Sequence, residues 1–252
     1  MRTALLVAVS APLWAQSFEV ATIKPEDPEF RGRYITMQSA HQFFARNHSL
    51  RTLVMAAYNL HARAVTGGPA WVDNDRFEIQ AITPGEAHPT YDQQMAMLRQ
   101  LLTDRFHLTF HREPKELPVY AIVASKNGPQ LRASATPVEK AGLLGITIMP
   151  DHVEFPGRHI RVADLASVLQ RAALDRPVVD RTGLTGFYDF DLAWTPDDSQ
   201  FPGLHLAEPP DGAARKPDLF AAFQQQLGLK LEATKAPVDI LVIDRAERPS
   251  AN

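Results

Sequence analysis

Apolar residues at Leu50, Leu53, Val54 and Ala57 keep the i, i+3, i+4, i+7 spacing of a helix with one buried face. Ser49 stands where a side-chain oxygen is needed to cap the first turn. The pattern returns at Val162, Leu165, Val168, Leu169 and Ala172, with Asp164 in the first turn, where the helix dipole favours a carboxylate. Met95, Leu98, Leu101 and Leu102 predict a further helix; Leu219, Ala222, Phe223 and Leu227 predict another, ended by Gly228. Period-two alternation at Phe77–Gln80 and Tyr188–Leu192 predicts strands with one face buried. Two strand pairs follow, Leu108–Phe110 with Val119–Val123 and Leu229–Leu231 with Val238–Ile243. The second of each pair is apolar on both faces, as expected for a covered strand. Phe18–Ile23 predicts one additional strand.

These elements fall into two similar series. Ile35-Thr36-Met37 returns as Ile146-Thr147-Ile148, Phe44 as Phe155 and Phe77-Glu78-Ile79 as Tyr188-Asp189-Phe190, each 111 positions later. The expected fold class is α+β, with two similar lobes from an internal duplication, each a small sheet with two packed helices. The expected divisions are 1–16 for a signal peptide, 17–130 for the first lobe and 131–252 for the second. Segment 125–140 is the expected linker, and the Pro/Gly/Asp-rich stretch 196–217 an insertion. A cleft between such lobes would be a natural ligand site.

Composition narrows the chemistry. Zero cysteine removes disulfides, thiol nucleophiles and Cys-ligated zinc. A net charge of -3 argues against a general nucleic-acid binder. Arg2, the apolar run Ala4–Val9 and the small residue Ala15 match a short secretory signal, so a periplasmic or secreted location is expected. No segment of the mature chain offers the roughly 18 consecutive apolar residues of a transmembrane helix.

Phe18-Glu-Val-Ala-Thr-Ile-Lys-Pro25, Leu101–Glu113, Pro177–Gly186 with Tyr188–Leu192, and Val242-Ile-Asp244 through Pro249 carry a resemblance across nearly the whole mature chain. They resemble a soil-associated family of secreted bacterial proteins defined by a domain of unknown function. The resemblance implies export and, from the family's occasional fusion to membrane metallopeptidases of the antibiotic-sensor type, an extracytoplasmic sensing or binding role. It supplies no catalytic motif.

The residues themselves lack the common signatures: no Gly-x-Ser-x-Gly, Ser-x-x-Lys, His-Glu-x-x-His, phosphate loop or dinucleotide fingerprint occurs. His107 and His111 flank Leu108–Phe110, so as strand neighbours they stand about 13 Å apart, too far to chelate one ion easily. Each, like His159, remains a candidate acid or base, because imidazole titrates near neutrality. His41 and His48 correspond to His152 and His159 at the 111-residue offset, making His41, His48 and His152 candidate ligand contacts on a shared surface. Asp189 and Asp191 share a strand face about 6.6 Å apart, and Asp180 precedes them on a turn. Together they are candidate oxygen ligands for a divalent cation, calcium or zinc. Trp71, after Gly67-Gly68-Pro69, either lines a pocket or closes the core of the first lobe.

The expected function is therefore an exported, two-lobed protein that binds a small molecule or an extracytoplasmic protein. The alternative is a cation-assisted hydrolase of a small ester or lactone, in which the three aspartates hold a metal-bound water and a histidine acts as base. A structural envelope module is the third reading.

Overall fold

The structure, a computed structural model, describes residues 17–85, 88–137, 142–143, 145–201, 203–210 and 212–250. The expected signal segment lies outside these residues.

The first part of the chain forms β1 (Val20–Pro25), β2 (Tyr34–Met37), β3 (Gln42–His48) and α1 (Leu50–Ala57). A 3-10 turn (Ala62–Ala64), β4 (Val65–Gly67), α2 (Trp71–Asn74), β5 (Phe77–Ile82) and α3 (Tyr91–Phe106) follow. A long β6 (Thr109–Ala124) leads to β7 (Arg132–Ala133), β8 (Gly142–Leu143), β9 (Thr147–Ile148) and β10 (Val153–Ile160). The chain ends with α4 (Val162–Ala172), β11 (Val178–Asp180), β12 (Tyr188–Trp194), α5 (Leu219–Leu227) and β13 (Leu229–Arg245). The protein is thus mixed α/β, its strands arranged in three small sheets ordered β1-β5-β3-β2, β7-β12-β10-β8 with β9 also on β10, and β11-β6-β13-β4.

Two compact units are present. The first takes the described residues up to Tyr58, Gly67–His111 and those from Ile243 on; the second takes Asn59–Thr66 and Arg112–Val242. They interleave along the chain, a partition different from the sequential boundary expected at 130/131.

In the first unit, the predicted face of α1 (Leu50, Leu53, Val54, Ala57) is buried. Burying each of the three larger side chains, Leu50, Leu53 and Val54, contributes about 2 kcal/mol. The Ser49 hydroxyl accepts from the Thr52 N–H as expected, and Arg99 donates to the open carbonyl of Ala57 at 2.6 Å. Helix α3 begins with a reciprocal Thr90/Gln93 capping box and packs on α1.

In the second unit, α4 packs on β10 and β11 and α5 packs on β12, around Phe155, Leu165, Leu169, Trp194 and Phe223. Gly228 ends α5 at φ 62, as its position predicts. An added Cβ there would lie 2.3 Å from the Gly128 carbonyl oxygen, so only glycine fits.

The strand pairs expected at 108–123 and 229–243 are each one continuous strand. Their polar middles are held by pairing between β6 and β13 rather than by burial, with Arg112 Nη1 bridging to Asp239 Oδ2 at 2.9 Å.

A shared local feature marks each unit. In β3–β5, Ala45 pairs with Ile79 and His48 with Phe77, so Arg46 and Asn47 together oppose Glu78. In β10–β12, Gly157 pairs with Phe190 and Ile160 with Tyr188, so Arg158 and His159 oppose Asp189. Both are bulges, and the second bulged residue is left-handed in each: Asn47 at φ 59 and His159 at φ 56. Equivalent bulge positions are 112 residues apart, whereas the facing strands stay 111 apart. Counted from its bulge, buried Phe43 stands where buried Phe155 stands, and His48 where Ile160 stands, a register different from the expected pairing of Phe44 with Phe155 and of His48 with His159. A one-residue slip on a strand exchanges its faces, so the single extra residue decides which side chains match.

Candidate functional site

The first unit contains a cavity of about 760 Å³, within the 300–1,000 Å³ usual for small-molecule sites. Four parts of the chain, distant in sequence, build it. The end of β1 and the following loop supply Ile23 through Pro28, Phe30, Arg31 and Gly32; the α2–β5 junction supplies Asp75, Arg76 and Phe77; Arg248 and Pro249 come from the C-terminal tail, and Asn47 from the β3 bulge.

The loop is shaped by its own polar groups. The Phe30 N–H bonds to the Asp27 carbonyl, the Asp27 carboxylate accepts from the Glu29 N–H, and Gly32 takes φ 99. The tail is tied by the Glu247 N–H to the Phe106 carbonyl at 2.7 Å. Arg248 then bonds Asp75 Oδ2 at 2.7 Å and lies over the Trp71 ring at 5.3 Å.

Beneath the wall lies a buried ionic network that sequence reasoning missed. Glu26, its side chain only 2% exposed, accepts Arg46 Nη2 at 2.6 Å and Nε at 3.0 Å, together with the bulge N–H of Asn47 at 2.7 Å. The Arg46 guanidinium holds the Glu26 carboxyl below its ordinary range. Arg46 also reaches Glu78 Oε2 at 3.1 Å, and Lys24 takes the other Glu78 oxygen at 3.0 Å. The Arg46 guanidinium lies 3.9 Å over Phe30, coupling the network to the cavity wall. The available signal was the Glu26-Asp-Pro28 turn after an alternating strand, but nothing in it specifies Arg46 as partner.

The residues expected from sequence are distributed as follows. Trp71 stacks on Phe106 (6.5 Å) and meets Phe77 edge-on (6.4 Å), closing the core with one face toward Arg248. His107 is not on the strand: it caps α3 in the left-handed region at φ 46 and faces Glu247 at 3.4 Å. His111 is on β6, 2.8 Å from Asp244, and both imidazoles are more than half exposed. His41 and His48 sit at opposite ends of β3, on the order of 20 Å apart by strand rise, so the two rings do not meet. His48 is buried, and burial, with Arg33 nearby, lowers its pKa to about 4.

In the second unit, His152 bridges Asp151 (2.7 Å) and Glu154 (3.0 Å); burial opposes its charge, but the two carboxylates raise its pKa overall. His159 stacks on Phe187 at 4.2 Å. Asp189 accepts from Ser134 (2.6 Å), Thr136 (2.9 Å) and the bulge N–H of His159 (2.8 Å), and the Ser134 hydroxyl leads these donors in bringing its pKa down to about 2. Asp191, on the same strand face as expected, is 75% exposed and bonds Arg158 at 2.7 Å. Asp180 is on β11, in a different sheet, and accepts both the N–H and the hydroxyl of Thr182. Among the described residues no three His, Cys, Asp or Glu groups gather at metal-binding spacing. The carboxylates here pin loops: Asp189 holds the 134–136 segment onto its sheet and fixes the bulge. No described helix is long and apolar enough to cross a membrane.

Against known proteins, the profile of one family, described as protein of unknown function (DUF3738), matches residues 51–246. Much of the cavity wall, from Ile23 to Asn47 and at Arg248 and Pro249, lies outside that span. No curated protein and no solved structure matches the chain.

Proposed function

From the premise that the chain belongs to the DUF3738 family, we propose that it is an exported binding protein whose small-molecule ligand occupies the cavity of the first unit. The cavity carries the reading: its volume suits a small organic molecule, and apolar Ile23, Phe30 and Phe77 share its lining with polar groups. The buried Glu26–Arg46 network gives that lining a fixed frame, a requirement for affinity, since a preformed wall spares the ligand the cost of ordering it. Export is supported by the signal-like run at the N-terminus.

We further propose that the two units descend from one duplicated α+β element. The matching bulges, each followed by a helix at Leu50 and Val162, support this. The units then diverged in function. The first kept a spacious wall behind its bulge, whereas the second filled the equivalent bonds with Ser134, Thr136 and Asp189.

A thermal-shift screen of small organic molecules tests the reading. Hits should lose their shift in Phe30→Ala, which removes an apolar wall. Hits that keep their full shift in Phe30→Ala would place binding elsewhere.

A further inference from the structure

Most charges around the cavity are already spent within the protein. Lys24 is paired with Glu78, Asp75 with Arg248, and Glu26 with Arg46. The Asp27 carboxylate accepts the neutral Glu29 N–H and keeps its charge. Two lining cations are left. Arg31 donates to the Pro28 carbonyl at 2.9 Å, a contact that leaves its charge uncompensated, and Arg76 forms no ion pair among the described residues, although its charge acts through space on the Asp73 carboxylate. The same lining is apolar at Ile23 and Phe77, which are buried, and at Pro25, Pro28, Phe30 and Pro249. A guanidinium fork is the side chain best matched to a planar carboxylate, and apolar walls favour a ligand with an apolar body.

We infer that the ligand is an amphipathic organic anion: a carboxylate held by Arg31 and Arg76, on an aromatic or aliphatic body seated against Phe30 and Phe77. This rests on the cavity being the binding site. Two guanidiniums against the one uncompensated carboxylate, Asp27, leave the lining a net cation, which disfavours ammonium ligands, and the buried apolar lining disfavours a free inorganic anion.

Three probes of nearly equal shape separate the possibilities: 2-naphthoate, 2-naphthalenemethanol and 2-naphthylmethylammonium, titrated calorimetrically into the full chain. The carboxylate should bind at least about tenfold more tightly than the alcohol, a difference of about 1.4 kcal/mol. Arg31→Ala and Arg76→Ala should each weaken the carboxylate about tenfold and leave the alcohol unchanged. Both arginines are exposed, so unchanged circular dichroism melting will verify that the variants fold. Alcohol binding as tight as carboxylate binding, and lost in Phe30→Ala, would overturn the ligand class and leave the cavity as the site. Ammonium binding as tight as the carboxylate would overturn the class equally. Binding by none of the three would overturn the ligand class, while the thermal-shift screen with Phe30→Ala decides the cavity reading separately.

Discussion

Replacing Glu26 with glutamine keeps the shape of the side chain and removes its charge. The native carboxylate receives two N–H groups of Arg46 and the backbone N–H groups of Asp27 and of the left-handed bulge residue Asn47. Glutamine can still accept from Asn47, but it turns an amide NH2 toward the guanidinium. Leaving a buried charge wholly unpaired costs about 3–5 kcal/mol, and losing a hydrogen bond to a charged group about 1.5–3 kcal/mol. Arg46 retains Glu78 at 3.1 Å, which favours the lower range, so the expected loss is about 2–3 kcal/mol. The assay is urea unfolding followed by fluorine NMR of 5-fluorotryptophan, in which Trp71 reports the first unit and Trp194 the second. With a slope of about 2–3 kcal/mol per molar urea, the Trp71 transition should move down by about 1 M. The same carboxyl gives a pH signature. Its folded pKa lies below the unfolded value, so its contribution is present above about pH 4 and is lost as pH falls through the folded pKa. A Glu26→Gln loss below about 0.5 kcal/mol at neutral pH would refute the network as the frame of the cavity.

Other outcomes follow from the same geometry. The His48 imidazole should titrate near pH 4 by NMR; the native state then resists protonation, so stability is full above about pH 6.5 and falls by about 3 kcal/mol as pH drops toward 4. A His48 midpoint near 6.5 would contradict its burial. Gly228→Ala places a Cβ 2.3 Å from the Gly128 oxygen at a left-handed position, and should cost about 2–4 kcal/mol in thermal unfolding. A loss below 1 kcal/mol would mean that the 125–130 turn is not packed against the end of α5. Asp189→Asn should speed hydrogen exchange at the His159 amide and raise the mobility of residues 134–136, with no change at Asn47; equal exchange in both proteins would sink the loop-pinning role.

Local signals were legible in the chain where one residue's chemistry decides the local structure. Ser49 fixes the start of α1, Gly228 the end of α5, and Tyr188–Leu192 declares a strand by alternation alone. Longer-range pairing left no such mark. The polar runs at 111–117 and 232–237 carry charges and prolines, so their continuity as β6 and β13 depends on each other and not on either sequence. The bulges were hidden as well. The two bulges lie 112 residues apart while their facing strands lie 111 apart, so, counted from each bulge, His48 stands level with Ile160 and not with His159. His107 was placed on a strand because Leu108–Phe110 alternates, yet its left-handed backbone ends α3. The cavity was the least legible feature. Its wall joins residues 23–32, 75–77 and 248–249, which share no period and no motif, and its arginines matter through the carboxylates they lack. Aspartates, by contrast, stood out in the sequence, and in the structure Asp189 bonds Ser134 and Thr136 while one oxygen each of Asp180 and Asp191 bonds Thr182 and Arg158.

The most direct test of the binding claim is a map of backbone amide shifts in the full chain as 2-naphthoate is added. The account predicts saturable changes centred on Gly32, Asn47, Arg76 and Phe77. Changes centred instead on the smaller pocket lined by Asp197, His205 and Arg215, or spread without saturation, would contradict it.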